Sequence, residues 1–275
     1  MDWWIGGAGS LCIAALAYWR GWLSRSGAIA AGLTGTLLYA LGTSPWFGLM
    51  IAFFITSSVL SKWKRERKRQ AESGYEKSGA RDAGQVLANG GMGVLLCVLH
   101  ALWPQEASLW AAYVGVMAAV TADTWATEVG GLSRTAPRSI LNGRKVPAGT
   151  SGGVTPLGIM ASLAGGTFIG AAAWGLAALL PDASRPHEAA LPLALLPALG
   201  AAGGLIGSLA DSLLGATLQQ TYRCTVCGRE LERSEHCGRS AMRARGLRGM
   251  NNDAVNVLGS WIGGAAAVLL WVIIR

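Results

Sequence analysis

Charge is scarce in this sequence. Lys, Arg, Asp and Glu make up 14% of its 275 residues, where a soluble domain carries about 25%, and the shortfall excludes a large-cored soluble globule. Short alternating strands are missing too, which excludes a membrane barrel. No Ser-His-Asp order and no metalloprotease motif occurs, which argues against peptide hydrolysis. No basic segment precedes the apolar stretch after Met1-Asp2 and no small-residue cleavage site stands out, so the N-terminus does not read as a secretory signal.

What fills the chain is apolar and small: 52% hydrophobic residues, with 39 glycines and 12 tryptophans. Small residues in long apolar runs suit membrane helices that approach one another closely. The expected fold is all-α, a polytopic membrane bundle forming a single transmembrane domain over 1–275. About eight spans fit, near 3–19, 27–43, 45–61, 84–102, 108–130, 154–180, 191–219 and 253–274, each close to the roughly 20 residues a bilayer core needs.

The net charge of +8 raises the question of nucleic acid, but its placement answers it. Of the 23 lysines and arginines, all but Arg185 and Arg275 fall in alternate inter-span segments. Positive charge of that distribution sets orientation. It predicts both termini outside, a basic cytoplasmic loop at 62–83, a second cytoplasmic loop at 220–252, and no nucleic-acid partner. The run Lys62-Trp63-Lys64-Arg65-Glu66-Arg67-Lys68-Arg69 reads first as a topology anchor on anionic lipid, and second as an attractor of phosphorylated substrates. Trp3, Trp4, Trp46, Trp103 and Trp110 fall at the proposed outer ends, where interfacial belts form.

Against that background the polar residues inside the spans stand out. Val120 to Gly130 carries Asp123, Glu128 and three threonines. A carboxylate in a bilayer costs roughly 3 kcal/mol or more, which makes it a functional-site candidate by default. Glu128, a further candidate Mg²⁺ ligand just before Gly130-Gly131, also fits a solvated helix end. The two acids are five residues apart, roughly 140° around a regular helix, so Asp123 ranks first. Asp82, Gln85, Asn89 and Gly93 share a face of the fourth span, where interhelical hydrogen bonding is an equal alternative. Ser208, Asp211, Ser212 and Gly215 repeat the pattern in the seventh. Asn252, Asp253 and Asn256 open the eighth, one of them serving as helix cap.

The segment Asn142 to Gly158 is glycine-rich and ends at Thr155-Pro156, a helix start. With Arg144, Lys145, Ser151, Gly152 and Gly153 it reads either as a phosphate cradle or as a flexible hairpin. It is not a Walker A loop, which needs Lys-Ser/Thr directly after the last glycine. Cys224-Thr225-Val226-Cys227, followed by His236-Cys237, fits structural Zn²⁺ better than a disulfide, although adjacent His and Cys seldom ligate one ion comfortably.

All these polar groups fall at one depth, near the cytosol. Several carboxylates and amides are hard oxygen ligands suited to Mg²⁺ on a nucleotide's phosphates. With Arg144 and Lys145 they point to phosphoryl or nucleotidyl transfer onto a membrane lipid.

Five motifs, Gln85-Val86-Leu87-Ala88-Asn89-Gly90, Ala122-Asp123-Thr124-Trp125-Ala126-Thr127-Glu128, Ser151-Gly152-Gly153-Val154-Thr155, Gly207-Ser208-Leu209-Ala210-Asp211-Ser212 and Asn251-Asn252-Asp253-Ala254-Val255-Asn256, resemble in order the integral membrane family that includes the plastid phytyl-phosphate kinase. That family, long known only as a domain of unknown function, looks like a relative of dolichol kinase and the membrane cytidylyltransferases. The resemblance implies an isoprenyl-phosphate kinase passing the γ-phosphate of CTP to a phytyl, geranylgeranyl or farnesyl monophosphate at the cytoplasmic side of the cell membrane. It implies Asp123, Asp211 and Asp253 as holders of Mg²⁺ and triphosphate, with Asn89, Asn252 and Asn256 assisting. A CDP-lipid-forming cytidylyltransferase would use the same acids. A transporter would use Asp123 and Asp211 as coupling sites, and would need polar groups continuing outward, where the sequence offers His100, Asp182, His187 and Glu188.

Overall fold

The computed structural model describes residues 2–64, 66–68, 75–77, 79–180 and 191–275. Arg65 and Arg69 of the basic run, and Asp182, Arg185, His187 and Glu188, lie outside the described residues.

Eight long helices carry the fold among these residues: α1 Asp2–Trp19, α2 Arg25–Leu41, α3 Ser44–Lys62, α4 Ala83–Leu102, α5 Ala107–Gly130, α6 Pro156–Leu179, α7 Leu196–Thr217 and α8 Asn252–Ile274. They lie where the apolar runs place spans. α7 is shorter than the run at 191–219 because a 3₁₀ turn at Leu193–Leu195 precedes it. Five helices, α3, α4, α6, α7 with its leading turn, and α8, are long and apolar enough to cross a membrane on length and composition. α1 and α2, of 18 and 17 residues, are the shortest. Leu33, Leu87, Met160 and Leu269 are among many large apolar side chains facing outward, as a lipid-facing surface requires.

Local chemistry sets the helix starts. The Ser24 hydroxyl accepts the Gly27 N–H at 3.1 Å and begins α2. Asp82 and Gln85 form a reciprocal capping box on α4. The Thr155 hydroxyl accepts the Gly158 N–H at 3.0 Å, with Pro156 opening α6. On α8 the cap is Asn251, whose Oδ1 accepts the Ala254 N–H at 3.0 Å. This corrects the expectation that Asn252, Asp253 or Asn256 caps it, and leaves those three side chains for other partners.

α5 is the hub. It packs on α3, α4, α6, α7 and α8, while α1 and α2 pair at the edge beside α4. Nearly every residue of α5 from Trp110 to Ala122 is buried, so this helix meets protein rather than lipid on all sides. Glycines let the surrounding helices close on one another: a Cβ at Gly166 of α6 would stand 2.5 Å from the Gly200 carbonyl of α7, closer than real Cβ contacts come.

The end of the bundle away from the carboxylates is sealed by rings. Trp46 stacks on Tyr113 at 4.3 Å and on His100 at 4.9 Å between centroids, and Trp110 packs beside them. The Tyr113 hydroxyl donates to the Trp46 carbonyl at 2.6 Å. Trp46 and Trp110 are therefore core residues rather than members of an interfacial belt; both are fully buried, whereas Trp3, Trp4 and Trp103 are exposed. Stacking within the bundle outcompetes the interface for them.

Strands occur only in two connections among the described residues. β1 Arg138–Ser139 pairs antiparallel with β2 Gly153–Val154. Between α7 and α8, β3 Thr221–Arg223 is flanked by β4 Glu230–Leu231 and β7 Met242–Arg245, while β5 Glu235–His236 and β6 Arg239–Ser240 make a small hairpin.

Candidate functional site

A cavity of about 410 Å³ opens at the carboxylate end of the bundle, within the usual range for small-molecule sites. Its walls come from the ends of α3, α4, α5, α6, α7 and α8. Asp123, Thr127 and Glu128 enter from α5; Ser208, Asp211 and Ser212 from α7; Asn252 and Asn256 from α8; Gln85 and Asn89 from α4. The segment from Ala148 to Thr155 closes one side, and the connection from Tyr75 to Arg81 another.

The charges of this cavity sort into committed and uncommitted. Glu128 is ion-paired with Lys68 and accepts the Ser61 hydroxyl at 2.5 Å. Asp253, just outside the wall, receives the Lys77 ammonium at 2.5 Å, and Lys77 also reaches Asp82 at 3.1 Å. Burial works against the Lys77 ammonium, but its hydrogen bonds to Asp253 and Asp82 outweigh it and hold its pKa above the ordinary lysine value. Arg81 donates to the Ser58 hydroxyl at 2.9 Å; burial draws its pKa down, opposed by the Glu128 charge.

Among the described residues, Asp123 and Asp211 have no such cation, and the Oδ2 of Asp211 is buried without a hydrogen-bond partner. Asp211 sits in the field of both Asp123 and Glu232. A buried carboxylate oxygen without a donor, in the field of a second carboxylate, is stabilised by a hard cation, and oxygen donors of this kind fit Mg²⁺. Glu232 arrives from the loop between α7 and α8: the Ser151 hydroxyl donates to its Oε1 at 2.9 Å and the Glu76 N–H to its Oε2 at 3.2 Å. Burial raises the Glu232 pKa, against those two hydrogen bonds.

Residues 8–264 match the family model described as Integral membrane protein DUF92. The chain belongs to this family. Among similar proteins, Protein PGR of Arabidopsis thaliana is 34% identical over 90% of this chain and 88% of its own length. Uncharacterized membrane protein MJ0933 of Methanocaldococcus jannaschii is 27% identical over 90% and 86%. Protein VTE6, chloroplastic, of Arabidopsis thaliana is 23% identical over 90% of this chain and 65% of its own. No solved structure matches. This DUF92 chain is thus an integral, multi-pass membrane protein, as its composition implies.

Within this DUF92 chain the cavity gathers most residues that the sequence singles out: Asn89, Asp123, Glu128, Asp211 and the two asparagines of α8, together with Ser208 and Ser212 and the loop residues Ser151, Gly152, Gly153 and Thr155. Some have structural work of their own. Ser208 shares a buried hydroxyl contact with Ser162 at 2.8 Å. Thr121 and Thr124 donate back to the carbonyls of Met117 and Val120. Gly152 has φ +81° and its missing Cβ would stand 2.3 Å from that of Ala216, so glycine is needed there for packing against α7 as well as for any ligand.

Arg144 and Lys145 are not in the wall. They are exposed beside the tight turn at Gly143, φ +69°. The cations that do line the cavity, Lys62, Lys68, Lys77 and Arg81, come from the last residue of α3 and the basic connection after it. Their spacing alone reads as a solvated charge run; the signal that bears on them is that Arg81 and Asp82 lead straight into the Gln85 and Asn89 stripe. Glu232 has no sequence signal beyond lying between Cys227 and His236.

A second, apolar groove lies among α1, α2, α3 and α4. Ile13, Leu23, Phe47, Met50, Phe53 and Phe54 are in its wall, and Arg81, Gln85 and Asn89 belong to both walls. The Cys224, Cys227, His236 and Cys237 ligand atoms all lie within 4.8 Å of one another, outside the cavity.

Proposed function

We propose that this protein is an isoprenyl-phosphate kinase, transferring the γ-phosphate of a nucleoside triphosphate to a prenyl monophosphate. The observation that carries this reading is the sharing of Arg81, Gln85 and Asn89 between a polar cavity and an apolar groove, the arrangement a phosphate head with a long hydrocarbon tail requires. The resemblance of this chain's motifs to the family that includes the plastid phytyl-phosphate kinase supports it.

On this reading Asp123 and Asp211 hold Mg²⁺, with Glu232 beside them. Bound there, the ion supplies charge neutralisation for the triphosphate. Glu128, a candidate Mg²⁺ ligand in the sequence, and Asp253, which the family resemblance adds to the metal set, keep Lys68 and Lys77 in place. Lys77, Arg81 and Lys62 face the phosphate oxygens, and Asn89, Asn252 and Asn256 supply amide contacts. The prenyl phosphate's second ionisation lies near pH 6, about that of other monoesters, so its oxygen is nucleophilic at neutral pH and no general base is needed. That oxygen attacks the γ-phosphorus, the bond from γ-phosphorus to the β–γ bridging oxygen breaks, and the nucleoside diphosphate leaves. CTP as donor, and phytyl, geranylgeranyl or farnesyl phosphate as acceptor, follow from the family resemblance. The basic segments around the cavity mouth support a cytoplasmic opening.

The test is purified protein in detergent with Mg²⁺, γ-labelled CTP and a panel of prenyl monophosphates, beside Asp123→Asn and Asp211→Asn. Label in a prenyl diphosphate that disappears in both variants supports the proposal. Pyrophosphate release with a CDP-lipid would transfer the site to nucleotidyl chemistry, and absence of turnover from well-folded protein with every acceptor would overturn the enzyme reading.

A further inference from the structure

The loop between α7 and α8 has little to hold it together. Its strands are two to four residues long, and from 221 to 245 its buried apolar side chains are Cys224 and Leu231. A segment with so small a core needs a covalent or metal staple. All three of its cysteines are free thiols.

Four soft donors converge at its tip. A tetrahedral Zn²⁺ with Zn–S near 2.3 Å puts its sulfurs about 3.8 Å apart, and the four ligand atoms here lie within 4.8 Å of one another. The His236 Nδ1 stands 3.5 Å from the Cys227 sulfur and 3.2 Å from that of Cys237. The Val226 N–H donates to the Cys224 sulfur at 3.4 Å, a contact that favours a thiolate.

Adjacent ligands such as His236 and Cys237 ordinarily diverge along a chain. Here Cys237 has φ +51° and Gly238 φ +70°, and this left-handed turn brings both donors to one side. A non-glycine residue in that conformation costs of order 1 kcal/mol or more and persists where something else fixes it. The first pair has a similar turn, with Gly228 at φ +72° directly after Cys227.

We propose that Cys224, Cys227, His236 and Cys237 bind one structural Zn²⁺, and that this ion fastens the loop so that Glu232 reaches into the cavity. Glu232 lies between the two ligand pairs, so clamping both ends of that stretch fixes the intervening strand β4 and the carboxylate beyond it. On its inner side the loop is tied to the bundle by Arg245, which donates to the Gly215 and Ala216 carbonyls at 3.0 and 2.6 Å and to Glu230 at 2.6 Å. Away from Arg245 the loop is held by Arg229 to the Ala148 carbonyl at 3.3 Å and by the Ser151 and Glu76 contacts to Glu232 itself, the contacts that the clamp would hold in register.

The ion is tested independently of catalysis. Elemental analysis of the full-length protein purified without added chelator should give about one Zn²⁺ per chain, falling to near zero in Cys224→Ser and in Cys227→Ser. His236→Cys, which keeps four soft ligands, should retain the ion; this separates lost ligation from a misfolded chain. Removing zinc with a strong chelator should speed limited proteolysis between 221 and 245 several-fold while the transmembrane core stays intact. Well-folded protein without zinc, or a disulfide between any two of these cysteines in protein purified under non-oxidising conditions, would overturn the proposal.

Discussion

Lys68 is only 3% exposed and forms an ion pair with Glu128, the last carboxylate of α5. It also donates to the Leu60 and Ser61 carbonyls at 2.8 and 3.2 Å. A residue from the densest basic run of the chain is therefore an internal strut of the cavity wall. Breaking a buried pair by removing one partner costs about 3–5 kcal/mol, whereas removing both costs far less. Glu128→Gln and Lys68→Met should each lower the unfolding midpoint in detergent strongly, and the double variant should recover much of the loss. Additive effects in that double-mutant cycle would mean the pair is not coupled.

The two acids without a cation behave differently. Neutralising Asp123 or Asp211 relieves repulsion, so Asp123→Asn and Asp211→Asn should be at least as heat-stable as the parent when no divalent ion is present. The parent should gain stability on adding Mg²⁺ and the variants should not, since a ligand bound only by the folded state stabilises it. Turnover should fall by about a hundredfold or more in each, the scale seen when transition-state charge stabilisation is lost. Equal Mg²⁺-induced shifts in parent and variants would remove these residues from the metal site.

Much of this architecture is legible from residues alone. Apolar runs, with Thr155-Pro156 marking one helix start, set the helices, because prolines and caps act locally. Asn89, Asp123, Asp211 and Asn256 stand out because a polar group inside an apolar span is costly to bury unless protein or ligand satisfies it. What depends on tertiary geometry is not legible. Lys68 and Lys77 resemble any surface run until the chain folds back over α5 and α8. Arg144 and Lys145 have the chemistry of phosphate ligands, yet the turn at Gly143 carries them into solvent. Trp46 and Trp110 sit at helix ends like interfacial anchors, but they stack on Tyr113 instead. Glu232 is far in sequence from Ser151 and Glu76, which it meets at the cavity wall.

Glu232 also gives the cavity a pH signature. Burial raises its pKa above the ordinary value of 4.5, so between those two values the folded state holds a proton that the unfolded chain has lost. Its contribution to stability is full below pH 4.5 and is lost as pH rises through the folded pKa. Glu232→Gln removes that dependence. Melting curves taken upward from pH 4.5 should show the parent losing stability relative to Glu232→Gln, with the gap levelling off once Glu232 is ionised. A constant gap across that range would mean that Glu232 ionises normally in the fold.

The groove makes the sharpest demand on substrate structure. Ser10 lies in its wall against Gly35 and Phe47, and Gly35 is about two helical turns along α2 from Gly27, which packs on the Arg81 carbonyl. A phenyl ring there would fill space for the far part of a hydrocarbon chain, away from Arg81, Gln85 and Asn89. Ser10→Phe should therefore raise KM for phytyl and geranylgeranyl phosphates by about tenfold or more, since each buried methylene contributes about 0.8 kcal/mol. The shortest prenyl phosphates, which end before reaching Ser10, should keep their KM, and kcat should change little for either. A uniform loss across chain lengths would mean the tail lies elsewhere, along the lipid-facing surface of the bundle, while leaving the assignment of the polar cavity intact.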